Sequence, residues 1–155
     1  MRRQEREISD RETMEQVLRR GSVLYLAMCD GDRPYVLPLS YGYDGRALYI
    51  HCGLEGRKLD VLRRNPQVCF VVDPERELTT GEVSCSWSFR YRSVIGEGTV
   101  AIVEDEAERA AGLDVLMRQH GGAGGDYVAA SLALTLVLRV DITSLSGKQS
   151  GYDDQ

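Results

Sequence analysis

The sequence predicts a mainly β fold, with six antiparallel strands curled into a small closed or nearly closed barrel and helices outside it. Three observations carry this. Apolar, β-branched runs recur between tight turn signals, of which Asp30-Gly31-Asp32 and Asp44-Gly45 are the shortest. Helical spacing is confined to residues 9–21, 53–65 and 104–120. The short connections between strands favour antiparallel neighbours, and closure removes the exposed edges of an open sheet.

Each element has its own signal. Ser9-Asp10-Arg11-Glu12 reads as a capping box, with Ser9 as the cap and Glu12 reciprocating. Met14, Val17 and Leu18 then form an apolar stripe, and Gly21 supplies a stop. Residues 23–28, 35–43 and 47–51 read as three strands of a meander, with Pro38 marking an edge or a bulge. Residues 53–65 read as a helix with Leu54, Val61 and Leu62 on one side, ended by Pro66. Residues 67–72 form a nearly continuous apolar run, as a buried strand does. The polar stretch 73–81, with Pro74, reads as a loop, and 83–103 as a long strand that Gly96 and Gly98 allow to bend. Residues 104–120 start acidic, as a helix N-terminus favours, with Ala107, Ala110, Ala111 and Met117 as the apolar side. Residues 121–125 are too rich in glycine to be ordered on their own. A last strand follows, in which Leu134, Leu136, Leu138, Val140 and Ile142 alternate with Thr135, Arg139 and Asp141.

Composition narrows the function. A chain of 155 residues with 43% hydrophobic and 28% charged residues fits one globular domain, residues 1–155, with an N-terminal helix within 1–21 and a C-terminal tail at 144–155. A formal charge of -5 argues against nucleic acid as a partner but leaves room for a local basic pocket. Cys29, Cys52, Cys69 and Cys85 are unevenly spaced without a Cys-x-x-Cys pair, and are expected as small buried hydrophobes rather than a disulfide framework. Met1-Arg2-Arg3-Gln4 leads into charged residues, so neither a signal peptide nor a membrane span is expected, and the expected location is cytoplasmic. Ser86 and Ser88 lack the Gly-x-Ser-x-Gly setting of a nucleophile elbow. Gly56-Arg57-Lys58 lacks the spaced glycine of a nucleotide-hydrolysing phosphate loop. His51 and His120 are the only histidines, with no cysteine spacing to complete a tetrahedral zinc set, so no metal site is expected.

Chemistry concentrates between Tyr49 and Lys58. A strand ends at His51, a turn with Gly53 and Gly56 follows, and Arg57 and Lys58 stand where a helix begins. Helix starts offer free N–H groups and a positive dipole end, so the pair reads either as a phosphate site or as solvated surface cations. Three segments together carry a resemblance. They are Tyr35-Val36-Leu37-Pro38-Leu39-Ser40-Tyr41, the stretch from Leu48-Tyr49-Ile50-His51 through Gly56-Arg57-Lys58, and Tyr91-Arg92-Ser93-Val94 with Gly96. With the closing Ser146-Gly147-Lys148, their order resembles the pyridoxamine 5'-phosphate oxidase-like flavin-binding split β-barrels, within them the nitroimidazole-resistance (Nim-like) branch.

The resemblance implies a homodimer holding flavin mononucleotide (FMN) at its interface, acting on a small-molecule substrate as a nitroreductase-like oxidoreductase. It implies Arg57 and Lys58 as phosphate ligands and Ile50 and His51 along the ribityl and phosphate end. The backbone of Val36, Leu37 and Pro38, and Ser40 beyond them, would run beside the ring, with Ser93 as a polar contact. Trp87 either stacks on the ring from the partner subunit or is a core residue. His51 contacts the flavin site, ligates haem as in some split barrels, or has a plain structural role. A non-catalytic flavin-binding module is a further alternative. The Arg-Leu-x-Pro substrate motif of true pyridoxamine 5'-phosphate oxidases is replaced here by Gly147-Lys148-Gln149-Ser150-Gly151. No side chain is assigned as acid or base.

Overall fold

The structure, a computed structural model, describes residues 3–152; Met1, Arg2 and the last three residues of the expected tail lie outside the described residues. After a 3₁₀ turn (Gln4–Arg6) and a short β1 (Glu7–Ile8), α1 (Arg11–Arg20) begins. Its cap is Asp10 rather than the expected Ser9. The Asp10 carboxylate accepts from the Glu12 and Thr13 amides and the Thr13 hydroxyl, and these bonds lower its pKa from the ordinary value. Gly21 has extended backbone, so it is not a left-handed stop; a Cβ there would collide with Tyr41 and Val72.

β2 (Val23–Asp30) and β3 (Arg33–Ser40) form the first hairpin, and β3 is an edge strand, as Pro38 suggests. The expected meander does not form. The second run breaks at Tyr41, and its end becomes β4 (Gly42–Tyr43), which pairs with β5 (Ala47–Cys52). α2 (Arg57–Arg64) is shorter than the sequence suggests and leaves Leu54 exposed outside it; Val61 and Leu62 are buried as expected, and Leu59 takes the place of Leu54. β6 (Gln67–Thr79) continues through the expected loop, because the ladder skips Asp73 and Pro74 at an irregularity and resumes at Glu75. A 3₁₀ turn (Ser84–Ser86) then leads to β7 (Ser88–Val103), whose register shifts between Glu97 and Gly98.

α3 (Glu106–Gln119) is capped by Asp105. It buries Gly112 and Leu116, while Ala107, Ala111 and Met117 of the expected apolar side are exposed. The glycine segment after it is tied down by Asp114, which accepts from the Gly125 amide at 2.8 Å and the Tyr127 hydroxyl at 2.9 Å. A short α4 (Ala129–Ala133) precedes β8 (Leu136–Ser150), which runs through most of the expected tail and pairs with β1, β5 and β7. Among the described residues there are eight strands instead of six, the two extra ones being the two-residue β1 and β4.

All pairs are antiparallel, in the order β3-β2-β6-β7-β8-β5-β4. The two ends of that order, β3 and β4, are separated in the chain by Tyr41 alone. The sheet therefore has to curl until its ends meet, giving a barrel closed at this seam by the chain itself instead of by a ladder. Tyr41 is fully buried and donates its hydroxyl to the Leu18 carbonyl at the end of α1. Burial raises its phenol pKa above the ordinary value. Gln119 donates to the Leu18, Arg19 and Gly21 carbonyls, completing the C-terminus of α1. No described helix is long and apolar enough to cross a membrane.

The barrel interior is filled by Leu24, Leu26, Phe70, Val94, Ile50 and Leu138 with their neighbours. Phe70 lies over Gly96, its partner across the ladder, and a Cβ at Gly96 would penetrate the ring. Gly96→Ala is expected to destabilise the fold by about 2 kcal/mol, and Phe70→Leu in the same chain to recover part of that loss. Urea unfolding of the two single variants and the double variant measures both effects.

Candidate functional site

β5 ends at Cys52, and the chain reverses through residues 53–56 before α2. Gly56 takes φ 132°, a conformation open to glycine and strained for L side chains. It stands at the N-cap of α2, and no side chain caps that helix. Aspartates cap both α1 and α3, so among the described helices of eight residues or more α2 alone lacks a side-chain cap, its one first-turn carboxylate, Asp60, being exposed and paired with Arg63. Arg57 and Lys58 occupy its first two positions. An uncapped helix start with two cations is suited to an anion supplied from outside.

The two cations differ. Arg57 donates Nε to Asp30 at 3.1 Å, places a terminal nitrogen 3.0 Å from the same carboxylate, and lies 4.3 Å over the Tyr35 ring. Arg64, at the far end of α2, pairs with the other Asp30 oxygen. The helix is thereby docked on the β2–β3 hairpin. Lys58 is half-buried and forms no ion pair within 4.0 Å among the described residues. Burial pushes the Cys52 thiol pKa up, and the charges of Lys58 and Arg63 offset part of that rise.

The remaining predicted residues fall into two groups. Val36, Leu37, Pro38 and Ser40 lie on β3, which pairs only with β2 and so keeps one backbone edge free. β3 and β5 touch across the seam, bringing this edge close to the end of β5 where His51 is exposed. Leu37 packs against the core, whereas Val36 is 58% exposed. Ile50 is 1% exposed, so only its backbone is available to a ligand. Ser93 and Trp87 lie elsewhere, with β2 and β6 between β3 and β7. Trp87 is 54% exposed and donates to the Gly81 carbonyl, which rules out the core role. Ser93 is half-buried, its hydroxyl 3.5 Å from the Lys148 carbonyl.

A surface cavity of about 790 Å³ is lined by α1-flanking residues, Arg90, Arg92 and Tyr152, and holds no predicted site residue. Another, of about 390 Å³ beside Tyr43 and Gln119, holds none either. Within one chain the predicted residues thus form two open surface regions. Sequence reasoning missed Asp30, Tyr35 and Arg64 as the partners that position Arg57. In the sequence Asp30 reads only as a turn residue, and nothing local links it to a helix 27 residues on.

Comparison with known proteins bears on the same elements. The family model for pyridoxamine 5'-phosphate oxidase matches residues 10–149. A solved structure of a candidate 5-nitroimidazole antibiotic resistance protein from Bacteroides thetaiotaomicron superposes with a TM-score of 0.82 at 29% identity, covering 92% of this chain and 85% of that one. An FAD and heme binding protein from Mycobacterium smegmatis gives 0.81 at 25% identity, covering 97% and 77%. An uncharacterized protein of Rhizobium meliloti is 36% identical over 61 residues, 39% of this chain and 40% of that protein's length.

The thiols give a direct check of the site's packing. Cys29 and Cys85 are exposed, whereas Cys52 and Cys69 are partly covered and have raised pKa values. At neutral pH, iodoacetamide is expected to label Cys29 and Cys85 well before Cys52 and Cys69, as followed by peptide mass spectrometry.

Proposed function

The chain belongs to the pyridoxamine 5'-phosphate oxidase family, and on that premise we propose that it is an FMN-binding oxidoreductase of the nitroimidazole-reductase kind, acting as a cytoplasmic homodimer. The observation that carries this reading is the uncapped, glycine-led start of α2 with Arg57 and Lys58 on it, beside the free edge of β3. A phosphomonoester fits the helix start, where backbone N–H groups, the helix dipole and Lys58 all favour negative charge. The free backbone edge of Val36, Leu37 and Pro38 suits the polar rim of an isoalloxazine ring. The likenesses to an FAD and heme binding protein and to a candidate nitroimidazole-resistance protein support the flavin and its class of substrate.

The chain's own residues have simple tasks in this reading. Arg57 and Lys58 bind and orient the phosphate, and His51 borders the ribityl end. The Ile50 side chain fills the barrel beneath and keeps the strand rigid. The flavin, when bound, supplies the electron-transfer chemistry, while the protein fixes its position and limits access.

A second copy completes the site. Ser93 and Trp87 are distant from β3 in the sheet of one chain, so they reach the flavin only from a partner. The outer sheet face offers a matching surface. Pro38, Tyr25, Val71 and Ile95 form one cross-strand row over β3, β2, β6 and β7, with Tyr25 43% and Ile95 47% exposed. Haem is the second reading, favoured by the exposure of His51 at the end of β5 and by the heme-binding neighbour.

Absorption of the purified protein separates these readings: bands near roughly 370 and 450 nm mark flavin and one near roughly 400 nm marks haem, as general cofactor properties. A protein that carries neither and fails to bind added FMN contradicts both. Combined Arg57→Ala and Lys58→Ala substitution is expected to weaken FMN about a hundredfold and riboflavin little, since only FMN has the phosphate. Equal losses in a fluorescence titration would remove these cations from the phosphate site. Tyr25→Glu is expected to convert the dimer to monomer in light scattering and to lower flavin affinity with it.

A further inference from the structure

We propose that Asp30 is a built-in rival of the flavin phosphate for Arg57, and that Arg64 tempers the rivalry by sharing the same carboxylate. The proposal rests on the phosphate assignment above and adds the residues that set its strength.

Arg57 is not a free cation. Its guanidinium meets one Asp30 oxygen through two nitrogens, at 3.1 and 3.0 Å, and its flat face is held 4.3 Å from Tyr35. The arginine is thus kept at the start of α2, with part of its charge already neutralised. A dianionic phosphate arriving there meets a resident carboxylate attached to the arginine it needs, so either the ion pair opens or the two anions share one guanidinium. Both routes oppose binding of the charged end and leave the uncharged ring and ribityl chain unaffected.

Arg64 acts through Asp30. Its backbone stands seven residues after Arg57 on the same helix, about 10 Å further along the axis, and its side chain reaches back to the carboxylate that holds Arg57. Its guanidinium takes the other Asp30 oxygen and draws charge density away from Arg57. All three side chains are partly exposed, at 56% for Arg57, 65% for Arg64 and 23% for Asp30, so the exchange needs no repacking of the core. Asp30 and Arg64 are positioning residues in this scheme, each acting on the phosphate through Arg57.

The test titrates FMN and riboflavin against the full-length protein and its variants by flavin fluorescence. Asp30→Asn is expected to tighten FMN about fivefold without changing riboflavin, and Asp30→Glu to restore native values. Arg64→Ala is expected to weaken FMN about twofold in the native chain and to have no effect in the Asp30→Asn background. The proposal is overturned if Asp30→Asn leaves FMN affinity unchanged or lowers it, if it weakens FMN and riboflavin together, or if Arg64→Ala weakens FMN equally in both backgrounds. In those cases the phosphate assignment stands as long as the native protein prefers FMN to riboflavin and loses that preference without Arg57 and Lys58. A native protein with no preference for FMN overturns the assignment and this proposal together.

Discussion

The closure at Tyr41 is the constraint on which the other features depend. One residue joins strands at opposite ends of a seven-strand hydrogen-bonded order, so the barrel cannot open without dragging that residue through the core. The Tyr41 ring fills the space beneath the seam, and its hydroxyl is committed to the last turn of α1. Gln119 takes the same Leu18 carbonyl and its neighbours, and accepts from the Tyr43 amide. The seam, the first helix and the third helix thus meet in one hydrogen-bonded knot. A buried phenol with its partner removed would be an unsatisfied polar group, which is why the knot holds as a unit.

A seam closed by chain connectivity leaves two strand edges that touch without a shared ladder. That incomplete pairing gives β3 its free backbone edge, at the place where β5 ends and α2 begins. A fully closed ladder would have used those groups. The candidate site is therefore a by-product of how the barrel closes: the unsatisfied edge, the uncapped helix start and the turn at Gly56 all lie at the split. The apolar row on the outer face follows from the same topology, because the helices that pack on the barrel leave that part of β2, β3, β6 and β7 uncovered.

Local signals in the sequence marked the elements well where periodicity or turn chemistry was strong. The Asp30–Asp32 and Asp44–Gly45 turns, the stripe of Met14, Val17 and Leu18, and the edge position of Pro38 were all legible in this way. What failed had non-local causes. The break at Tyr41 is invisible because residues 35–43 are uniformly strand-like, and the need to cross to the other edge comes from the whole sheet. The strand through Pro74 survives since the partner strand tolerates two unpaired residues, which no window of β6 alone reveals. Leu54 and the alanines of α3 misled because apolar spacing does not state which face a neighbour covers. At the site, the cations were legible from their place after a glycine turn, whereas Asp30 and Tyr35 were not, their contact with Arg57 being made only by the docking of α2.

The docking of α2 separates stability from binding. An eight-residue helix is marginal alone, and this one is anchored by its buried Leu59, Val61 and Leu62 and by two arginines on one carboxylate. Exposed ion pairs contribute little to stability, so the buried side chains carry most of the anchoring. The Asp30 pairs are then free to be exchanged without unfolding the helix. Had Arg57 been held by a buried carboxylate, its release would have exposed an uncompensated charge and opposed any ligand strongly. The partial exposure of the cluster makes it a weak, adjustable brake: strong enough to orient Arg57 over Tyr35, and weak enough for a dianion to displace.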